Sequence, residues 1–588
     1  MALRRGVVVV VSLIALAVFV SVAGMAVVYL LVSRGPAIGN DSTLVLRPGG
    51  ALQETSPDDV VGQLIGENDV TVRGLVQSLR LAKHDPRITS VLLMPSSLES
   101  PYWAKVQELR DAVLDFRKSG KTVVAFLEYG GDREYYLASA ADRVFLLPTS
   151  ALDLTGVASY EVFLRGALDK AGATADFLHV GAYKTAVNQL TEKGFTAAHR
   201  EMTEALNGDA YEQLVRGIAV ARKKTDADVR RLLDDGPFAP EDALRLGLVD
   251  ALAYEDQIED QVPQLRQGGE RRRVEGTDYQ RVTPRSLGLR PRSRIAVIYV
   301  SGMIASGKSG FDPRNGPIVG SDTVVEQLRR MRRDDAIKAI VLRVDSPGGS
   351  TVASDVMWRE LMVTRDEKPS RPLIASMSDL AASGGYYISA PAHVIVAQPG
   401  TLTGSIGIFA GKFVIDGTLD KVGITTETVK SGKNADLYSP FSRFSPEQRE
   451  KVGQYIDGFY KNFVTKVAAG RHSTPAQIDA VGQGRVWTGA QAKERGLVDA
   501  LGGLAAAVSI AKERAHIPAD EEVELVVYSP RRSLYEALTE LGRVSSALGG
   551  WGVLMNASQR QAVASVLAPM TAFRRGEPLA LMPFTFVR

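Results

Sequence analysis

Beyond residue 290 the chain alternates short, continuous apolar runs with segments whose apolar positions recur at helical spacing. RIAVIYVSGMI (294–304), IKAIVLRVDSP (337–347) and RPLIASM (371–377) are of the first kind, and VVEQLRRMRRD (324–334) is of the second. Runs of Ile, Val and Leu without polar alternation suit strands buried on both faces, with helices covering those faces. The pattern predicts an α/β fold built on parallel sheet. Helix starts are legible too: Ser445 with Pro446 behind it offers an N-cap and a first-turn proline, and Thr196 opens the matching helix.

The matching helix exists because the chain is written twice. GLVDAL occurs at 247–252 and again at 496–501, an offset of 496 − 247 = 249. LDKAGATADFLHVGAYKTA (168–186) lines up with LDKVGITTETVKSGKNADL (419–437), and EYYLASAADRVFLLP (134–148) with GYYISAPAHVIVAQP (385–399); both offsets are 251 (419 − 168 and 386 − 135). Spacing this constant implies a tandem duplication with small indels. The expected organisation is a first repeat over 40–260, a linker over 261–290, a second repeat over 291–515 and a C-terminal extension over 516–588. Residues 261–290 are polar, basic and punctuated by Gly and Pro, which predicts a surface linker, with the Arg run at 271–273 as a solvated loop.

Ahead of the repeats, Gly6–Ser33 contains no charged residue and follows Arg4 and Arg5. At about 1.5 Å per residue it is long enough to cross roughly 30 Å of hydrocarbon, and it outruns the apolar core of a cleaved signal peptide. The expectation is an N-terminal transmembrane anchor over 1–35, with the bulk of the chain outside the cytoplasm. Composition narrows the chemistry. Lys plus Arg number 70 against 67 for Asp plus Glu, a balance that gives no reason to expect nucleic acid as a partner. The chain has no cysteine, which excludes disulfides, a Cys nucleophile and thiolate metal sites. Its 6 histidines form no HxH or HxxxH pair, so no metal is expected.

Three segments of the second repeat suit acyl chemistry better than a plain core. Val344–Ser350 (VDSPGGS) follows a buried strand and ends in paired glycines that let backbone N–H groups approach a developing oxyanion. Asp379–Tyr387 (DLAASGGYY) sets Ser383 among small residues at the head of a helix, and Thr401–Gly407 reads TLTGSIG. In this order SPGGS, ASGGYY and TLTGSIG resemble the signal peptide peptidase A family, membrane-bound Ser-Lys peptidases of the S49 type with a fold like the Clp protease and crotonase groups. The resemblance spans nearly the whole chain after the apolar segment. It implies that Ser383 is the nucleophile, that Gly348 or Gly349 forms an oxyanion hole with Gly384, and that Ser405 orients the base.

The base itself is located by the repeat. The Clp-type histidine slot falls on Ala397, and His393 nearby reads as a core or loop residue. In single-copy relatives the catalytic lysine closes a Ser-Gly-Lys-Tyr-Lys type segment; here the second copy reads Ser431-Gly432-Lys433-Asn434-Ala435, so the slot holds alanine. Its first-copy counterpart is Lys184 (435 − 251 = 184). Conversely, Ser383 maps to Asp132 and Gly384 to Arg133. Each copy lacks half the machinery, so the site is expected where the copies meet, with Lys184 as general base and no cofactor. The resemblance further implies hydrophobic peptide substrates such as cleaved signal peptides. It also implies a homo-oligomer, tetrameric in two-copy members, and a place in the bacterial cytoplasmic membrane in contact with the lipid bilayer. Two other readings stay open: a crotonase-like acyl-CoA enzyme, which would need a pair of carboxylates, and a catalytically silent membrane scaffold.

Overall fold

The computed structural model describes residues 38–54, 70–265, 272–312, 316–528, 577–583 and 586–587, with five isolated positions between 16 and 24. Nearly all of the expected anchor, and residues 529–576 of the expected extension, lie outside the described residues. Among the described residues no helix is long and apolar enough to cross a membrane.

The duplication is visible as two parallel sheets with one strand order. The first runs Ala251–Leu252, Arg143–Leu146, Thr122–Leu127, Ile88–Leu93, Ser42–Leu46, Arg273–Glu275. The second runs Ala500–Leu501, Val394–Ala397, Leu373–Ala382, Ile337–Ser346, Ser293–Ser301, Val523–Val527. Strand starts differ by 249 to 251 residues between copies (500 − 251 = 249; 293 − 42 = 251). Both faces of each sheet are apolar, as the unbroken runs required. Leu44 and Val91 face one core and Val45 and Leu92 another, while Ile298 and Leu342 are opposed by Val297 and Val341. Ser445 and Thr196 cap their helices, accepting from the N–H groups of Gln448 and His199.

Two expected boundaries fall short. Arg273–Glu275, inside the expected linker, adds to the edge of the first sheet with Val274 opposite Leu44. Arg273 is held there by Glu255 and Glu259, and Tyr279 is fully buried with its hydroxyl 3.0 Å from Asp85 Oδ2. One apolar residue among arginines hid this strand; the carboxylates that neutralise Arg273 come from the preceding helix and turn. Val523–Val527, beyond the expected end of the second repeat, does the same for the second sheet, with Leu525 opposite Ile295.

One element that joins the copies is a crossing strand. Thr174–Val180 of the first copy pairs antiparallel with Ile408–Val414 of the second. It carries the chain directly toward Lys184.

Candidate active site

The sheet of the second copy splits to make the site. Leu373–Ala382 pairs with Val394–Ala397 along Ile374–Met377, then with Leu402–Gly404 along Leu380–Ala382. Ser383 follows this fork and heads the helix Gly384–Ser389. Its φ is 56° and its ψ −111°, a conformation that a residue with a Cβ adopts at a cost of order 1–3 kcal/mol when its surroundings enforce it. The enforcing contact is its own N–H, which donates to Gly404 O at 2.7 Å. Ser405 is likewise held at φ 49°, its N–H donating to Arg485 O at 2.7 Å.

Lys184 arrives from the crossing strand of the other copy. Tyr183 N–H donates to Gln483 O at 2.8 Å, pinning the segment to the second copy. The Lys184 Nζ then lies 2.8 Å from Ser383 Oγ, 3.0 Å from Ser405 Oγ and 3.1 Å from Ser405 O. All three residues are fully buried. Burial pushes the pKa of the Lys184 amine well below the ordinary lysine range, because among the described residues no carboxylate offsets the lost hydration of its charged form. An amine that is neutral near physiological pH can accept a proton from a hydroxyl at hydrogen-bond distance. Among the described residues, Ser383 Oγ bonds to this amine and to no carboxylate.

The candidate oxyanion donors converge as well. Gly348 adopts φ +98°, and a Cβ there would stand 2.6 Å from Gly384 N, so these two backbones touch as a side chain would forbid. Gly348 N–H itself donates to Ser346 Oγ at 3.1 Å. Gly349 lies one residue on, also in a strand that includes Ser350. Lys433 and Ala435 lie on an exposed stretch. His393 accepts from Leu373 N–H at 3.0 Å, the structural role expected of it. In the first copy, the Ser383 position holds Asp132, whose carboxylate accepts from Gly156 N–H at 3.0 Å and Thr155 N–H at 3.1 Å, with burial pushing its pKa up to about 6.

Two features were not anticipated from the sequence. The C-terminal strand Leu579–Leu581 pairs antiparallel with Gly348–Ser350, and Met582 N–H donates to Pro347 O at 2.9 Å. Met582 packs with Ala382, Leu402 and Tyr102. Second, a buried ionic cluster ties the first copy to both catalytic loops. Lys105 Nζ lies 2.7 Å from Asp345, the residue before Ser346, and its N–H donates to Asp379 at 3.0 Å. Asp345 in turn accepts from Leu380 N–H at 3.2 Å. Arg343 forks onto Glu54 and also meets Glu108 at 2.6 Å. Charged residues on an otherwise apolar strand are the one sequence signal that could have marked it, since isolated buried charges are rarely left unpaired.

The chain is similar to known proteins over most of its length. The model of peptidase family S49 matches residues 115–267 and 365–518. The chain is 35% identical over 513 residues to the chloroplastic serine protease SPPA of Arabidopsis thaliana, covering 86% of this chain and 75% of that protein. It is 36% identical over 455 residues to Protease 4 of Salmonella typhi, covering 75% of this chain and 72% of the relative. A solved structure of a membrane-bound stomatin-specific protease aligns with 41% of this chain and 99% of its own at 15% identity, with a TM-score of 0.25.

Proposed function

Since the chain belongs to peptidase family S49 and is a serine peptidase, we propose that it works through a dyad shared between its two copies, with Ser383 as nucleophile and Lys184 as general base. The observation that carries this is the 2.8 Å contact between Lys184 Nζ and Ser383 Oγ, made by a lysine whose pKa burial lowers well below the ordinary range. Lys184 takes the Ser383 proton as Oγ attacks a peptide carbonyl. The Gly384 N–H, with that of Gly348 or Gly349, stabilises the tetrahedral oxyanion. As the intermediate collapses, the Lys184 ammonium gives its proton to the leaving amine and an acyl-serine ester remains. A water deprotonated by Lys184 then hydrolyses that ester, returning Ser383. Ser405, through its hydroxyl and carbonyl oxygens, aims the amine at Oγ.

The substrates we propose are hydrophobic peptides, cleaved signal peptides among them. The reading is supported by the apolar cluster of Tyr102, Met202, Leu206, Ala382, Leu402 and Val486 beside the nucleophile, and by the antiparallel pairing of Gly348–Ser350 with the extended segment Leu579–Leu581, a mode of strand pairing that an extended peptide can adopt in its place. Anchoring in the cytoplasmic membrane, catalytic copies outside the cytoplasm, and assembly as a homo-oligomer complete the proposal; the uncharged run Gly6–Ser33 supports the anchor.

A fluorophosphonate probe tests the nucleophile. Detergent-solubilised protein is expected to label covalently and Ser383→Ala to remain unlabelled, whereas equal labelling of both would reject Ser383.

A further inference from the structure

We propose that Arg485 is a positioning residue of the catalytic pair: through its backbone it holds Ser405, through its side chain it holds the segment that bears Lys184, and by closing that segment down it keeps water from the amine. The inference rests on the proposed dyad and concerns how the second copy grips a lysine that belongs to the first.

Lys184 stands between two regular elements. The crossing strand ends at Val180 and the next turn begins at Thr185. The wall on which the lysine lies comes from the second copy. Gly484 has φ +79°, and a Cβ there would stand 2.4–2.6 Å from the N, Cα and Cβ of Lys184, so the backbone at 484 is flush against the lysine as a side chain would forbid. A Cβ on Gly407 would stand 3.0 Å from Lys184 Cδ, so the stem too lies against backbone. Gly484 N–H donates to Ile406 O at 2.7 Å, and Ser405 N–H to Arg485 O at 2.7 Å. The stretch 483–485 thus supplies the acceptor for Tyr183 N–H, the wall against Lys184 and the carbonyl that fixes Ser405, whose Oγ is 3.0 Å from the amine.

The Arg485 side chain closes a ring with the first copy. Its Nη1 donates to Glu201 Oε1 at 2.6 Å, and the Tyr183 hydroxyl donates to Glu201 Oε2 at 2.9 Å. The guanidinium lies over the rings of Tyr183 and Trp487, 4.6 and 4.4 Å from their centroids. Trp487 is itself fixed, its Nε1 donating to Val481 O at 2.9 Å. Tyr183 directly precedes Lys184 and Glu201 sits on the helix Ala197–Arg222, so both partners of the guanidinium come from the copy that carries the lysine.

The repeat gives an independent sign that this clasp serves the lysine. At the 249-residue offset of GLVDAL, Arg485 corresponds to Gly236 (485 − 249), and Tyr183 corresponds to Asn434 (183 + 251). A Cβ on Gly236 would stand 1.9 Å from the carbonyl oxygen of Leu154, the residue matching Ser405 (405 − 251). The first copy therefore repeats the close backbone approach without the arginine. Arginine stands in the copy that receives the lysine, and tyrosine in the copy that sends it.

An ion pair whose carboxylate is 57% exposed adds little to the stability of a fold, so the effect of this one is expected at the amine. Arg485 and Tyr183 hold the Glu201 carboxyl below its usual range, and Glu201 pushes the Tyr183 hydroxyl up, so neither changes charge while the amine titrates. The other ionisable groups around the turn are engaged elsewhere: His179 with Gly181 O, Asp479 with Gln483, and Asp345 and Asp379 with Lys105. Among the described residues the amine itself bonds to Ser383 and Ser405 alone. Opening the clasp lets water reach it, restores hydration of the ammonium and raises its pKa.

The test follows the rate of fluorophosphonate labelling against pH in solubilised full-length protein. Arg485→Met keeps a long stem and loses the guanidinium. The midpoint of its rate profile is expected to move up by about one pH unit, which slows labelling near neutral pH about tenfold and leaves the alkaline plateau close to that of the wild-type chain. Glu201→Gln, a surface change that leaves the fold intact, is expected to move the midpoint in the same direction by less. Midpoints that stay in place in both variants, whether the rates are unchanged or lowered equally at every pH, overturn the proposal. Lys184→Ala separates this outcome from failure of the dyad: labelling of that variant at the wild-type rate overturns the dyad and the clasp together, whereas its loss of labelling beside unmoved midpoints overturns the role of Arg485 alone.

Discussion

A lysine can serve as a base only when it is neutral, and burial alone shifts Lys184 in that direction. The sign follows directly. Protonating this amine in a dry site is unfavourable, so its pKa falls, and activity requires the deprotonated form. The rate of peptide hydrolysis is therefore expected to rise with pH through an apparent pKa well under the ordinary lysine value of about 10.4; a profile flat from mildly acidic to alkaline pH would contradict a lysine base. Lys105 is the instructive contrast. It is also buried, but the carboxylates of Asp345 and Asp379 outweigh burial and hold it charged. The buried lysine left without a counter-ion is the proposed base; the other is given carboxylates and becomes a tie. Sequence spacing singled out Lys184 because Ala435 vacates its slot, whereas Lys105 carries no motif and acquires its role from residues 240 and 274 positions away (345 − 105 and 379 − 105).

Two elements set the site. The strand Ile337–Ser346 leads into the candidate oxyanion glycines, and Leu373–Ala382 leads into Ser383; Lys105 bridges the acids at the ends of both. Removing one partner of a buried ion pair strands the others, at a cost of about 3–5 kcal/mol. Lys105→Met is expected to lower the unfolding free energy by that order, measured by denaturant titration, while an unchanged midpoint would show that the cluster holds nothing. The C-terminal strand Leu579–Leu581 lies beside them and covers the backbone edge that an extended peptide would use. Truncation before Glu577 is expected to raise turnover of a short hydrophobic peptide ester several-fold by freeing that edge. Turnover equal to or below that of the full chain would contradict the overlap. Helix caps and buried strands were legible in the sequence because their signals are local. The strands at 273–275, 523–527 and 579–581 were not, since each is short and finds its partner far away in sequence.

At the scale of the molecule, duplication followed by complementary loss explains the layout. The near-constant offset was legible because the two copies still share strings such as GLVDAL, and it maps Lys184 onto the slot that Ala435 vacates. The means of bringing them together was not legible. Nothing in Thr174–Val180 itself announces that it pairs with Ile408–Val414 and not within its own copy. That crossing lets the first copy supply the proposed base while the position matching Ser383 holds Asp132, bonded to the Thr155–Gly156 turn. The central claim is therefore that one site is assembled from both copies across 383 − 184 = 199 residues. It is tested most directly by comparing kcat/KM of Lys184→Ala and Lys433→Ala on a hydrophobic peptide ester, using solubilised full-length protein. The account predicts a loss of about 10²–10⁴-fold for Lys184→Ala, the usual contribution of a general base, and near-normal activity for Lys433→Ala; loss with Lys433→Ala and retention with Lys184→Ala would contradict it.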